Sequence, residues 1–280
     1  MSKLATMLGL ILGLIMIGSG IYDFESQQLI DAFFNPQALA IVLGGSLAAL
    51  LINYPFKQVL CVFHGFVKTL RDEPVTPDEL IDDLVSYSHT AKNKGVLALE
   101  KELEMVDNRF LRFAMTEMLI YRDKDQLKQK LISRLLQTRL RHQTCQEAFE
   151  NLATYAPAFG MLGTVMGLIM MMTVQVGGGD SSPYGSDSTE LLGGLLTGMG
   201  LALVTTFYGV LFANLLFLPI AGKLRILSDA EMLQNEMIIE AVMAIKQQES
   251  TLLVRERLLS YLNDYLEEEI IEKAVNQSTT

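Results

Sequence analysis

Residues 191–222 read LLGGLLTGMGLALVTTFYGVLFANLLFLPIAG, a stretch without a single Asp, Glu, Lys or Arg. As a helix it would extend about 48 Å at 1.5 Å per residue, against about 30 Å of bilayer hydrocarbon. It is long enough to cross a membrane and must also tilt, kink or project at its inner end. Pro219 is the candidate kink. Gly194, Gly198, Ala202, Thr205, Gly209 and Ala213 recur at intervals of four and three, so one helical face is built of small side chains.

Three further runs also lack charged residues: 4–22, 32–56 and 151–179. Each is long enough to span a bilayer as a helix. The first has no small-residue cleavage site before polar sequence and a second run follows closely, so it reads as a retained helix and not a leader. The predicted fold is an all-α membrane protein with four transmembrane helices. A helical cytoplasmic domain sits between the second and third, and a helical tail follows the fourth. The expected divisions are 1–56 (a transmembrane hairpin), 57–150 (cytoplasmic), 151–222 (the third and fourth spans) and 223–280 (cytoplasmic helix and tail).

The basic residues orient the chain. Of 22 Lys and Arg, 15 lie in residues 57–150 and six in 223–280; Lys3 precedes the first run, and the links 23–31 and 180–190 hold none. Both termini and the large middle segment are therefore expected on the cytoplasmic side of a bacterial inner membrane. The two outer links carry six acids, and the tail carries 11 acids against six bases. An acidic outer mouth concentrates cations, although acidic links are also simply what the orientation rule permits. A net charge of −10 excludes ordinary nucleic-acid binding.

Cys61 and Cys145 both fall on the cytoplasmic side, where a resting disulfide is not expected. Neither forms a CxxC, and His64, His89 and His142 are scattered, so no zinc or redox site is indicated.

The middle segment reads as helices. Thr76 and Pro77 with Glu79 resemble a helix start, and Leu80, Ile81, Leu84 and Val85 follow at helical spacing. A break near residues 93–95 precedes a short helix with Val96, Leu97 and Leu99. A longer helix from about Lys124 to Ala153 sets Leu127, Leu131, Leu135, Leu136 and Leu140 mostly against Lys128, Lys130, Arg134, Arg139 and Arg141. Ala156–Pro157 is the punctuation before the third span. Residues 223–262 continue with helical periodicity. Residues 177–189 read as a flexible outer loop, and 267–269 and 276–280 as solvated and frayed.

Gly160, Gly163 and Gly167 in the third run, Gly9 and Gly13 in the first, and the small stripe of the fourth allow close helix packing in lipid. Thr164, Thr205 and Thr206 have two readings. Each can return its hydroxyl to its own helix, or the three can line a polar path and offer oxygens to a hard cation. No run contains an ionisable Asp, Glu, Lys or Arg. A proton relay or stripped-cation site needs an intramembrane carboxylate, so an ion path here requires an acid from another chain. No nucleophile–base constellation, GxGxxG or P-loop is present, and the chain is not expected to be an enzyme.

Two long motifs, YAPAFGMLGTVMGL at 155–168 and LVTTFYGVLFANLLFLPIAGKL at 203–224, together with AKNKGVLALE at 91–100, resemble the flagellar stator A subunits (the MotA and PomA type) of the MotA/TolQ/ExbB superfamily. The resemblance implies a homopentamer of A subunits in membrane lipid around two single-span B subunits. Each B subunit would carry the missing membrane aspartate and a peptidoglycan-binding domain. Cation flow would generate torque on the rotor protein FliG. It implies ion-path roles for Thr164, Thr205 and Thr206, coupling roles for Pro157 and Pro219, and a rotor-facing pair in Lys92 and Glu100. No permanent cofactor is implied. The Thr205–Thr206 pair resembles sodium-type members, with the proton as the alternative. Asn93 departs from a second basic residue common in PomA-like members. The expanded outer loop and acidic tail are compatible with a TolQ/ExbB-like or other non-flagellar motor. A passive scaffold, in which glycines and threonines only pack helices, is the remaining reading.

Overall fold

The described part of each of the four apolar runs is predominantly helical. The computed structural model describes residues 2–23, 28–29, 33–71, 77–101, 106, 108–177 and 188–261. The outer loop residues 178–187, the helix-start residue Thr76 and the tail at 267–280 lie outside the described residues. Among those described, the one departure from helix and turn is a two-residue antiparallel ladder, Tyr22–Asp23 with Gln28–Leu29. Three helical stretches are long and apolar enough to cross a bilayer: Pro36–Asn53, Lys124–Thr173 and Leu192–Lys246; Leu8–Ile21 is a shorter apolar helix.

The chain divides into two compact units, Met1–Glu73 with Gln143–Arg225, and Pro74–His142 with Ile226–Thr280. The first holds α1 (Ser2–Ile21), α2 (Pro36–Leu39), a π turn (Ala40–Gly44), α3 (Gly45–Asn53) and α4 (Phe56–Arg71). It also holds the later part of α7 (Lys124–Gly177), α8 (Ser188–Leu211), a second π turn (Phe212–Phe217) and the start of α9 (Leu218–Lys246). Asn35 caps α2: its Oδ1 accepts from the Gln37 and Ala38 amides at 3.0 and 3.1 Å, and Pro36 takes the first helical position, where no amide hydrogen is needed. The Asn151 side-chain amide donates to the Tyr54 hydroxyl at 2.8 Å, fixing α7 against the α3–α4 turn. The core of this unit is Val42, Leu50, Val59, Phe149, Leu152, Ala156, Ala213, Phe217 and Leu224.

The second unit draws residues from two stretches distant in sequence into one core. Ile81 and Leu84 of α5 (Pro77–Lys94), Met115 and Met118 of α6 (Arg109–Ile120), Leu127 and Leu131 of α7, Met237 and Val242 of α9, and Val254 and Leu258 of α10 (Thr251–Leu259) are all buried together. Asn108 caps α6 by accepting from the Phe110 and Leu111 amides. At the other end of α6 the Lys246 ammonium donates to the Met118 carbonyl at 2.9 Å, a cation on one of the carbonyls that the last helical turn leaves without an intrahelical partner.

Three expectations about the helices change. The helix reaching Ala153 does not stop at Ala156–Pro157; α7 runs 54 residues through Pro157. A proline removes one bond, to the carbonyl four residues back, and close packing on both sides of this turn holds the helix together. The tail is not one helix to residue 262. It breaks after Lys246, where Gln248 adopts φ 56° and Ser250 caps α10 by accepting from the Leu253 amide. The fourth run does not break at Pro219; a π turn, Phe212–Phe217, precedes it and the helix continues through the proline. The Leu218 amide reaches back five residues to the Ala213 carbonyl, widening the turn that the proline ring would otherwise crowd.

Candidate functional site

The glycine stripes of α7 and α8 meet. A Cβ placed on Gly163 would lie 2.5 Å from Thr205 Cβ and Cγ2, one on Gly167 would lie 2.5 Å from the Gly198 carbonyl oxygen, and one on Gly209 would lie 2.7 Å from the Ala156 carbonyl oxygen. No side chain fits at any of these points, so the two backbones run in direct contact over three helical turns. That is what small residues spaced by four provide when lipid offers no hydrophobic drive to association. Gly45 of α3 adds a third element, since a Cβ there would overlap the Phe159 ring.

The seam separates the surroundings of the threonines. Thr205 is fully buried against Gly163, and its hydroxyl donates to the Leu201 and Ala202 carbonyls, both at 3.0 Å. Thr206, one residue on, is half-buried; its hydroxyl donates to the Ala202 carbonyl at 3.2 Å. Thr164 is half-buried on α7 and donates to the Met161 carbonyl at 2.6 Å. All three hydroxyls thus make the local bond common to threonine in helices. Those bonds run within each helix and do not join the three to one another.

Thr206 alone of the three lines a groove of about 550 Å³, walled by Ile17 of α1 and by Leu203, Phe207, Val210 and Leu215 of α8 and its π turn. Asn214 is the second polar side chain there. Its amide donates to the Val210 carbonyl at 2.9 Å, which leaves the side-chain oxygen available. Asn214 was not singled out by its sequence context, although an amide inside a 32-residue uncharged run was the available signal. Hydroxyl and carbonyl oxygens can ligate a hard cation, but none of these groups binds a proton at neutral pH.

Pro157 is half-buried on α7, with Gly209 packed on its Cα at 3.1 Å through the ideal Cβ position. Pro219 is exposed and directly follows the π turn. The two prolines therefore sit at the Ala156–Gly209 end of the seam and just after the widened turn.

Lys92 and Glu100 are both exposed in the second unit. Lys92 is in the last turn of α5, and Gly95 (φ 84°) turns the chain into the 3₁₀ turn Val96–Lys101 that carries Glu100. A cleft of about 200 Å³ beside Lys92 is closed by Gln248 and Glu249 of the α9–α10 break. Glu249 is held there by Arg257 at 3.1 Å, which also pairs with Glu240 at 3.0 Å. The break in the tail helix thus shapes the surface on which Lys92 stands.

Comparison with known proteins now bears on this geometry. A family model described as the MotA/TolQ/ExbB proton channel family matches residues 102–237. Motility protein A of Treponema phagedenis is 33% identical over 234 residues, which is 83% of this chain and 85% of that protein. The chain belongs to the MotA/TolQ/ExbB family. The chemotaxis protein PomA of Vibrio alginolyticus is 30% identical over 261 residues, covering 93% of this chain and 96% of that one. Among solved structures, a chain of the flagellar MotAB stator complex from Bacillus subtilis superposes with a TM-score of 0.77 at 26% identity, over 94% of this chain and 97% of that one. The MotA/TolQ/ExbB family is one of channels and not of enzymes. The matched stretch 102–237 takes in α6, α7, α8 and most of α9, hence the whole glycine seam. Lys92 and Glu100 fall outside it.

Proposed function

We propose that the chain is the A subunit of an ion-driven rotary motor of the flagellar stator type, converting cation flow across the inner membrane into torque. The observation that carries this reading is the combination of a tight α7–α8 seam with an adjoining oxygen-bearing groove and no membrane carboxylate. Such a body can position an ion but cannot bind and release one by protonation. The partner is accordingly a single-span B subunit that brings an aspartate to the membrane. The complexes in which the matched structure is found are named for a second subunit as well, which supports this.

The finer picture has four spans with both termini inside, since Leu8–Ile21 extends to residue 2 as helix and the Lys and Arg distribution sets the direction. Five copies encircle two B chains, Pro157 and Pro219 couple ion passage to helix movement, and Lys92 and Glu100 face the rotor protein FliG. The cation is sodium, with Thr206 supplying an oxygen.

The test uses cells that lack their own stators and express this chain with its cognate B subunit. Motor speed is expected to rise with external sodium at fixed pH. Glu100→Lys is expected to stop rotation while leaving sodium entry intact. Speed that is indifferent to sodium and follows pH alone would replace sodium by the proton. Absence of torque from a complex that assembles in the membrane would remove the flagellar reading.

A further inference from the structure

Cys61 and Cys145 are 84 residues apart in sequence, yet the structure sets them against each other. Cys61 is on α4 and Cys145 on the segment of α7 in the same compact unit. The Cys145 thiol donates to the Cys61 carbonyl at 3.2 Å. Gly65, one turn beyond Cys61, makes the approach possible; even a methyl group there would lie 3.3 Å from Cys145 Sγ. Both thiols are half-buried, neither sealed in the core nor openly exposed. Among the described residues no group of His, Cys, Asp or Glu is arranged to hold a metal ion, so the pair is not part of a metal site.

We propose that Cys61 and Cys145 form a reversible thiol–disulfide pair that a hydroperoxide closes, stapling α4 to α7 within one chain. A reducing cytoplasm keeps the pair open at rest, which is why spacing in the sequence gave no sign of it. The neighbouring Cys145 side chain holds the pKa of Cys61 below the usual thiol range, against the opposing effect of burial. The Cys61 thiolate attacks one peroxide oxygen. The S–O bond forms, the O–O bond breaks, and the departing hydroxide takes up a proton as water, leaving a sulfenic acid. The Cys145 sulfur then attacks the Cys61 sulfur and displaces hydroxide, which leaves as water with the Cys145 proton. Two thiols and one peroxide become one disulfide and two waters. A dithiol reverses the step by exchange and ends as its own disulfide.

The site lies on the helix that also carries the Gly163–Thr205 seam and Pro157, so closure ties that helix to α4. The chemistry does not depend on which rotor or cation the protein uses, and its test is independent of torque.

The full chain in inner-membrane vesicles is treated with hydrogen peroxide, its remaining thiols are alkylated, and its peptides are mapped by mass spectrometry without reduction. The expected result is loss of both free thiols per chain, a linked peptide pair containing Cys61 and Cys145, and recovery of both thiols with dithiothreitol. In Cys145→Ser the peroxide product is expected to stop at a Cys61 sulfenic acid that dimedone traps. Two thiols that remain alkylatable after peroxide, or links that join separate chains, would overturn the proposal. So would oxidation of Cys61 to the sulfinic acid in the wild-type chain without any linked peptide. The wild-type measurement decides the matter even where a variant folds poorly.

Discussion

Gly163→Leu is expected to force the α7–α8 pair apart, lowering the yield and stability of folded protein in the membrane and abolishing motor activity. The added Cβ alone would lie 2.5 Å from Thr205 Cβ and Cγ2 and 2.6 Å from Oγ1. Thr205 cannot turn aside, because it is fully buried and its branched side chain has few rotamers in a helix. The helices must part, and parting also breaks the backbone contacts at Gly167–Gly198 and Gly209–Ala156. Overpacking of this kind costs about 1–3 kcal/mol at one site, and here three contacts fail together. The midpoint of thermal unfolding in detergent is expected to fall by on the order of 10 °C. Gly9→Leu is the control. A Cβ at Gly9 meets nothing within 4 Å, and leucine is the better helix former, so its midpoint is expected to hold. Equal melting of the two variants would mean that the seam does not carry the membrane half.

The second large effect separates two adjacent residues. Thr206→Val keeps the shape of the side chain and removes the one hydroxyl that faces the α1–α8 groove. Ion-driven torque is expected to fall by on the order of tenfold, the worth of about 1.5 kcal/mol for one bond to a charged group, with assembly unchanged. Thr205→Val is expected to leave torque near the wild-type value. Its hydroxyl bonds only to carbonyls of its own helix and touches no open space, and its methyl group and volume, which fill the space beside Gly163, survive the change. The comparison is made by tethered-cell rotation at saturating sodium, with membrane content of each variant measured alongside. Larger loss at Thr205 than at Thr206 would place the ion on the opposite side of α8 from the groove.

The sequence and the structure differ most where contacts between distant segments decide the outcome. The stripes at Gly160–Gly163–Gly167 and Gly198–Ala202–Gly209 were each visible, because small residues four apart mark a helix face by themselves. That they face each other was not visible, since spacing within a run is silent about its partner. The same limit hid the difference between Thr205 and Thr206: a helix turns about 100° per residue, so one of the pair enters the seam and its neighbour leaves it. The break at Gln248 was masked by good helix formers on both sides, and only the Ser250 cap and the burial of Val254 and Leu258 impose it. Residues 77–135 and 232–258 read as two regions because two long apolar runs separate them in the sequence, yet they share one core. Cys61 and Cys145 likewise became a pair only through the packing of α4 on α7. What composition did settle was the absence of a membrane acid, since no packing can supply a residue type that the runs lack.

That absence is tested most directly by ion flux. The purified chain is reconstituted into lipid vesicles alone and together with its cognate single-span subunit, and sodium entry is followed under an imposed membrane potential. The chain alone is expected to stay at the leak rate of empty vesicles, and sodium entry is expected only when the second chain contributes its aspartate. Sustained sodium entry through the chain alone would contradict the account, because a cation would then be crossing a membrane body that has no carboxylate to receive it.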